Sequence, residues 1–289
     1  MREFVIMADV NADTTPEFVE RENIAIMPQY YHFNDGVIYG DGNVLPTDKF
    51  FERMEGGERA YSMGCNPDRV HGIMEQAVLD GFDIIVFMAS SDCSGSYNTV
   101  CVEAEDLMQQ YRDARIHVVD SRLECAPIGL LVKQAVALKQ AGRTFDEVVR
   151  ISEESKAGAN VYFLVDHLDY LVRGGRLSPI SGMVGTVLNI KPILYFEEGK
   201  IVPFTKVRGR QTGKKTIMEQ LKKLDPKTTV CSVVHTVAEE EAREFAAQIE
   251  TELGLKVVSI DEVNPTIGAH AGHNALGVAY LTNVQARWW

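Results

Sequence analysis

The chain has 289 residues, 45% apolar and 24% charged, with 41 acidic against 29 basic side chains and a net charge of −12. That length and composition suit a globular protein of two packed α/β domains, and the acidic balance opposes non-specific attraction to nucleic acid or to an anionic membrane surface. No run of about 18 uninterrupted apolar residues is present, so no bilayer-spanning helix is expected.

The N-terminal run Met1-Arg2-Glu3-Phe4-Val5-Ile6 leads directly into a strand and lacks the long apolar core and cleavage site of a signal peptide. Strands are predicted at Phe4–Ala8, Ile24–Met27, Asp83–Met88 and Ile116–Val119, each followed by small or polar residues. Asn66-Pro67-Asp68 starts a helix: Asn caps, Pro suits the first helical position and Asp favours the positive end of the dipole. That helix should reach about Asp80, with Gly81 ending it. A second helix, near Cys125–Gln140, carries Ile128, Val132, Ala135 and Leu138 at three- and four-residue spacing. Alternation of this kind implies a mainly parallel sheet with helices on both faces, and ligands bind beyond the carboxyl ends of its strands. Asp9, the turn around Ser94 and Asp120-Ser121 should gather there.

Thr144-x-x-Glu147 reads as a capping box that opens a helix near Phe145. Beyond it the pattern changes to strands at Val161–Val165, Ile193–Phe196, Ile201–Lys206 and Thr229–Val234, with a tight hairpin at Glu197-Glu198-Gly199-Lys200. An acidic amphipathic helix near Ala238–Leu253 and strands at Lys256–Ile260 and Leu276–Leu281 complete the chain. The expected architecture is therefore α/β in two domains. Residues 1–157 form a mainly parallel three-layer sheet, and residues 158–289 a mixed-sheet domain.

Ser94-Gly95-Ser96 follows a buried strand and precedes a helix starting near Tyr97. Small residues there let backbone approach a ligand, so that first-turn amides and hydroxyls converge on a carboxylate or phosphate. A plain helix cap explains the same residues equally well. Ser62 lies just before the Asn66 cap, and His270 sits among glycines in Gly268-Ala269-His270-Ala271-Gly272-His273. Taken singly, each fits a structural role at least as well as a functional one. A metal at His270/His273 is disfavoured because no Cys or carboxylate lies at ligand spacing. Arg176 follows two glycines, and Lys206, Arg208, Arg210, Lys214 and Lys215 form the densest basic run. Such a run is ordinarily a solvated charged face, or else a contact for phosphate. The five cysteines, odd in number and without a CxxC pair, suggest reduced thiols in a cytoplasmic protein. The chain contains no GxGxxG fingerprint, P-loop or GxSxG elbow.

In order and spacing the chain resembles the DegV family of bacterial fatty-acid-binding proteins over essentially its whole length. The matching pieces are Asp9-Val10-Asn11-Ala12-Asp13, Ser62-Met63, Ser90-Ser91-Asp92-Cys93-Ser94-Gly95-Ser96-Tyr97 and Val119-Asp120-Ser121. They continue with Leu168-Asp169-Tyr170-Leu171, Gly174-Gly175-Arg176, Asn189-Ile190-Lys191-Pro192, Lys206-Val207-Arg208-Gly209 and Gly268-Ala269-His270-Ala271-Gly272. Tyr61, Cys93, Ser96 and Gly272-His273-Asn274 depart from the family's usual residues. The resemblance implies two α/β domains with one long-chain fatty acid buried between them. Ser62 and Ser94 would hold its carboxylate, helped by backbone amides at Met63, Gly95 and Ser96, with His270 in the same polar cluster. It also implies a lipid carrier rather than an enzyme, needing no cofactor, that delivers the acid to a fatty-acid kinase for acyl-phosphate formation in phospholipid synthesis. Arg176 matches a segment implicated in the kinase step, and Lys206 and Arg208 are expected to join it on that surface. Two other readings remain open: an acyl hydrolase or transferase using Ser94 or Cys93 with His270, and a binder of a phosphorylated small molecule with Arg176, Lys206 and Arg208 inside the pocket.

Overall fold

The computed structural model describes residues 2–178 and 189–288. Strand β1 (Phe4–Asp9) leads through helix α1 (Pro16–Arg21) to β2 (Ala25–Met27), β3 (Tyr30–His32) and β4 (Ile38–Tyr39). Helix α2 (Thr47–Glu55), β5 (Tyr61–Met63), α3 (Pro67–Leu79), β6 (Asp83–Met88), α4 (Ser96–Gln110), β7 (Ile116–Asp120), α5 (Ala126–Gln140) and α6 (Phe145–Ser155) follow. The later part comprises β8 (Ala159–Leu164), α7 (Asp169–Arg173), β9 (Ile190–Glu197), β10 (Lys200–Arg208), α8 (Arg210–Leu221), β11 (Val230–His235), α9 (Glu239–Leu253), β12 (Lys256–Glu262), α10 (Pro265–Ala271) and β13 (Leu276–Leu281).

The first sheet is parallel, in the order β2-β1-β6-β7. Every residue of β6 is buried, because helices cover both faces, and this is why the strand is an unbroken apolar run. Met74 of α3 and Val100 of α4 pack on one face, Leu131 of α5 and Val148 of α6 on the other. The helix starts follow local chemistry. Asn66 accepts a bond from the Arg69 amide, and Thr144 and Glu147 cap each other's backbone. Strand order reverses between β1 and β6, so a crevice opens beyond their carboxyl ends. Asp9 reaches across it to the Ala89 amide, and Asp120 takes both the amide and the hydroxyl of Ser91.

The second sheet is mixed, in the order β10-β9-β8-β13-β11-β12, antiparallel except where β11 meets β12. The expected hairpin joins β9 to β10, with Glu198 and Gly199 both at positive φ. Helix α5 lies between the two sheets, and residues 126–138 are all buried. Its apolar positions therefore run around the whole helix instead of forming one stripe. One core passes through it from Phe87 of the parallel sheet to Val161, Val234 and Ala279 of the mixed sheet.

Sequence periodicity does not anticipate the third sheet, β4-β3-β5, or helix α2 beside it. Strands of two or three residues are too short to show alternation. Their packing rests on aromatics: Tyr31, Phe33, Phe50 and Phe51 are all buried, with ring centroids 5.0–6.3 Å apart. This small sheet carries Ser62 in its edge strand β5.

Candidate functional site

The chain leaves β6 through a turn in which the Cys93 and Ser94 amides both donate to the Ser90 carbonyl, at 3.0 and 2.9 Å. The Ser94 hydroxyl accepts from the Ser96 amide at 3.2 Å and donates to Ser96 Oγ at 3.1 Å. Ser96 Oγ in turn accepts from the Cys65 amide. Ser94 thus satisfies a first-turn amide of α4 from just before its Gly95 cap, and it also lines a cavity. The β9–β10 hairpin tip presses the turn into place: the Ser90 hydroxyl donates to the Gly199 carbonyl at 2.7 Å and the Cys93 thiol to the same oxygen at 3.3 Å. A side chain at Gly199 would collide with the Arg122 guanidinium and the Asp92 carboxylate that flank the tip.

Ser62 pairs with Tyr31 in the small sheet, and its Oγ lies 2.7 Å from His270 Nε2 at the end of α10. Gly174 gives the imidazole room, since a Cβ there would stand 2.1 Å from His270 Nδ1. That Nδ1 is buried and has no hydrogen-bond partner among the described residues. A buried N–H without an acceptor costs more than a bare lone pair, so the favoured tautomer carries its proton on Nε2. His270 then donates to Ser62, and the Ser62 hydroxyl hydrogen is free for a ligand. Burial, followed by repulsion from Arg176, pushes His270 down to about 4, so the ring is neutral at pH 7 in the empty site.

Arg176 follows the Gly174-Gly175 turn and donates from Nε to the Cys93 carbonyl at 3.1 Å, which ties it to the Ser94 turn. Ser62, Ser94, His270 and Arg176 accordingly line one cavity between the two larger sheets. Its inner wall is apolar, with Val161 and Phe163 of β8, Phe196 of β9, Ile201 of β10, Val234 of β11 and Leu276 of β13. The cavity has an empty volume of ≈ 770 Å³ including space open to solvent, but the centre of a water-sized sphere reaches only ≈ 80 Å³ of it. It is narrow for its volume. Ser62, His270 and Arg176 also line a second cleft, of empty volume ≈ 830 Å³, with Arg59, Tyr61, Tyr170 and Arg173. The polar cluster forms the wall shared by an apolar cavity and a more polar cleft.

The remaining sequence candidates divide. Ser96 is buried and supports Ser94, whereas Gly95 and the half-exposed Met63 do not line the cavity. Lys206 and Arg208 alternate outward along edge strand β10 and line neither the cavity nor the cleft. Arg210 and Lys214 open α8 and both pair with Glu241; Lys214 is buried, so this end of the basic run is not the solvated face that its charge alone suggested. His270 bonds Ser62 rather than Ser94 or Cys93, and burial pushes the Cys93 thiol up to about 12, so neither residue has the activated geometry of a nucleophile. His273 meets Glu55 at 3.0 Å, and among the described residues no group of three His, Cys, Asp or Glu could hold a metal. No helix among them is long and apolar enough to cross a membrane.

Periodicity and motif reading passed over the cavity's buried acid. Glu124 is 7% exposed, and its one hydrogen bond among the described residues is a long 3.5 Å contact from Asn11. Desolvation, then the nearby Asp9, holds its carboxyl well above the usual range, opposed by Arg176. Its signal in the sequence is modest: it is the only acid between Ser121 and Gly142, in an otherwise apolar stretch.

Among proteins of known sequence, a DegV domain-containing protein of Clostridium perfringens is 32% identical over 286 residues, covering 97% of this chain and 98% of its own. Among solved structures, a stearic acid-binding protein from Eubacterium ventriosum superposes with a TM-score of 0.91 at 24% identity, covering 98% of this chain and 99% of that one. DegV of Bacillus subtilis, described as a fatty acid binding protein, gives 0.85 at 25% identity and covers 98% and 100%. The family model described as "Uncharacterised protein, DegV family" matches residues 3–283. With the family pattern spanning nearly every residue and a relative aligned end to end, the chain belongs to the DegV family.

Proposed function

We propose that the protein binds one long-chain fatty acid, with its tail in the narrow apolar cavity and its carboxylate at Ser62 and Ser94. From there the head group is presented through the second cleft to a fatty-acid kinase, which converts it to an acyl phosphate for phospholipid synthesis. The observation that carries this reading is the shared wall: Ser62, His270 and Arg176 line both the apolar cavity and the more polar cleft beside it. Such a wall lets a buried head group be reached from outside while its tail stays dry.

The physical balance agrees. Burying about fourteen methylenes gains roughly 0.8 kcal/mol each, or about 11 kcal/mol gross. Ordering the chain subtracts several kcal/mol. A carboxylate entering with it must be paired, because a lone buried charge is very costly. Two hydroxyls and the Arg176 guanidinium supply that pairing. The solved relatives, whose descriptions name stearic acid or fatty acids, support the ligand class. Five free cysteines suit a reducing, cytoplasmic setting.

Native mass spectrometry of the purified protein tests the ligand class. The expected spectrum shows an added mass in the long-chain fatty-acid range that is lost on collisional activation. A phosphorylated metabolite in its place, or rejection of added octadecanoate by ligand-free protein, contradicts the reading.

A further inference from the structure

The cavity carries a second polar patch that holding a carboxylate at Ser62 and Ser94 does not use. Asn11, Gln29, Glu124 and Thr266 line it together, and all four are buried, at 3–7% exposure. Three of them are explained by bonds within the fold. Gln29 donates from Nε2 to both oxygens of Asp9, at 2.8 and 2.9 Å. The Thr266 hydroxyl sits between Asn11 Oδ1, at 2.5 Å, and Asn264 Oδ1. Glu124 is not explained in this way. Its Oε2 takes only the long contact from Asn11 Nδ2, and its Oε1 has no hydrogen bond among the described residues. Arg176 acts on it through charge alone, without a hydrogen bond. A buried polar group with unfilled bonding capacity destabilises a fold, so an acid placed in a cavity wall calls for a partner inside the cavity.

Position narrows what that partner is. Thr266 and His270 lie four residues apart on α10 and share one of its faces. His270 meets Ser62 at the head-group wall, and Thr266 leads through Asn11 to Glu124. The patch therefore begins about one helical turn from the head group, beside the first carbons of a bound acid. A plain methylene chain there would leave Glu124 dry and unpaired. A hydroxyl would not. Desolvation and then the Asp9 charge favour the protonated carboxyl, against the pull of Arg176. That form has an O–H to give and an oxygen to receive, so one hydroxyl can both accept from it and donate to it. A hydroxyl also brings no further charge beside Asp9 and Asp13.

We infer that Glu124, with Asn11 beside it, is a recognition site for a hydroxyl near the carboxyl end of the acyl chain, so that the cavity selects hydroxylated fatty acids over plain ones. This rests on the fatty-acid reading above and names a narrower ligand class within it. A site built to bond a hydroxyl rejects the analogue that lacks it, because its own buried polar group is then left unpaired.

The test uses full-length protein stripped of lipid, with hexadecanoate and its derivatives hydroxylated at carbon 2, 3 or 5. Displacement of a fluorescent fatty acid reports each affinity. A hydroxyl makes the acid less apolar and weakens its binding unless the cavity supplies a partner, so tighter binding reports the site. Wild type should bind the best of the three hydroxy acids on the order of tenfold more tightly than hexadecanoate. In Glu124→Leu the order should reverse, with hexadecanoate the tighter ligand. Glu124→Gln, which keeps a donor and an acceptor, should retain part of the wild-type preference. A thermal melt checks each fold, and the wild-type comparison stands by itself if the leucine variant does not fold. Hydroxy acids that wild type binds no more tightly than hexadecanoate, as expected if an ordered water fills the patch, overturn the inference and leave the fatty-acid reading standing. A preference that survives Glu124→Leu undiminished does the same. Wild type that binds none of the acids overturns both.

Discussion

Ser62→Ala/Ser94→Ala should bind octadecanoate on the order of a hundredfold or more weakly than wild type, since each hydroxyl bonded to a charged group contributes about 1.5–3 kcal/mol. Two features make the loss large. The carboxylate would sit at the partly buried wall between cavity and cleft, where water replaces a missing donor poorly. His270 is neutral in the empty site and Arg176 is partly engaged by two carbonyls, so neither replaces the hydroxyls without rearrangement. The fold should tolerate the change, because Ser62 sits in an edge strand and Ser96 keeps its own bond from the Cys65 amide. A competitive displacement titration with a thermal melt alongside measures both. Wild-type affinity in the double variant would remove the head-group site.

The second large effect concerns Asp13, behind the cavity. It is buried and left-handed at φ 46°. Its Oδ1 accepts from the Asn264 amide and side chain at 3.2 and 2.9 Å, and Oδ2 is buried. Burial raises its pKa from 3.8 to about 7. The folded protein therefore holds this proton at pH values where the unfolded chain has released it. The resulting stabilisation is complete below pH 3.8 and is lost as pH rises through about 7. Across that gap the linkage amounts to about 4 kcal/mol. Asp13→Asn removes the charge, keeps the Oδ1 acceptor and accepts left-handed backbone readily. It should stabilise the protein by a few kcal/mol at pH 8 relative to wild type, and the advantage should shrink below pH 4. Urea unfolding of both proteins at the two pH values reads the difference directly. His270 slopes the other way: its neutral form contributes stability above pH 6.5 that is lost as pH falls through about 4. It is common to both proteins and cancels. An equal stability difference at both pH values would show that Asp13 is not a buried proton holder.

Long apolar or capped elements were legible from sequence. Asp83–Met88 and Leu276–Leu281 match their strands residue for residue, and Asn66 and Thr144 cap the helices they announce. The short elements β3, β4, β5 and α7 were not, because they owe their conformation to tertiary packing of Tyr31, Phe33, Phe50 and Leu171 instead of to local period. At the site, Ser62 and His270 lie 208 positions apart in the chain, and no spacing rule joins them. Only the ordered resemblance to a family anticipated that they share a wall with Ser94. The resemblance did not anticipate that Arg176 turns into that wall while Lys206 and Arg208 stay out on β10, since a guanidinium's direction depends on the glycine turn before it. Glu124 was missed because a single acid before an apolar helix reads as a helix start, and only the folded structure shows it buried beside the cavity.

The most direct measurement is a high-resolution crystal structure of the protein with octadecanoate. The expected map shows both carboxylate oxygens within hydrogen-bond reach of the Ser62 and Ser94 hydroxyls, and the tail running past Phe163, Phe196 and Val234. Density for the acid elsewhere on the molecule, or a chain reversed so that its methyl end meets Ser62, would contradict the account.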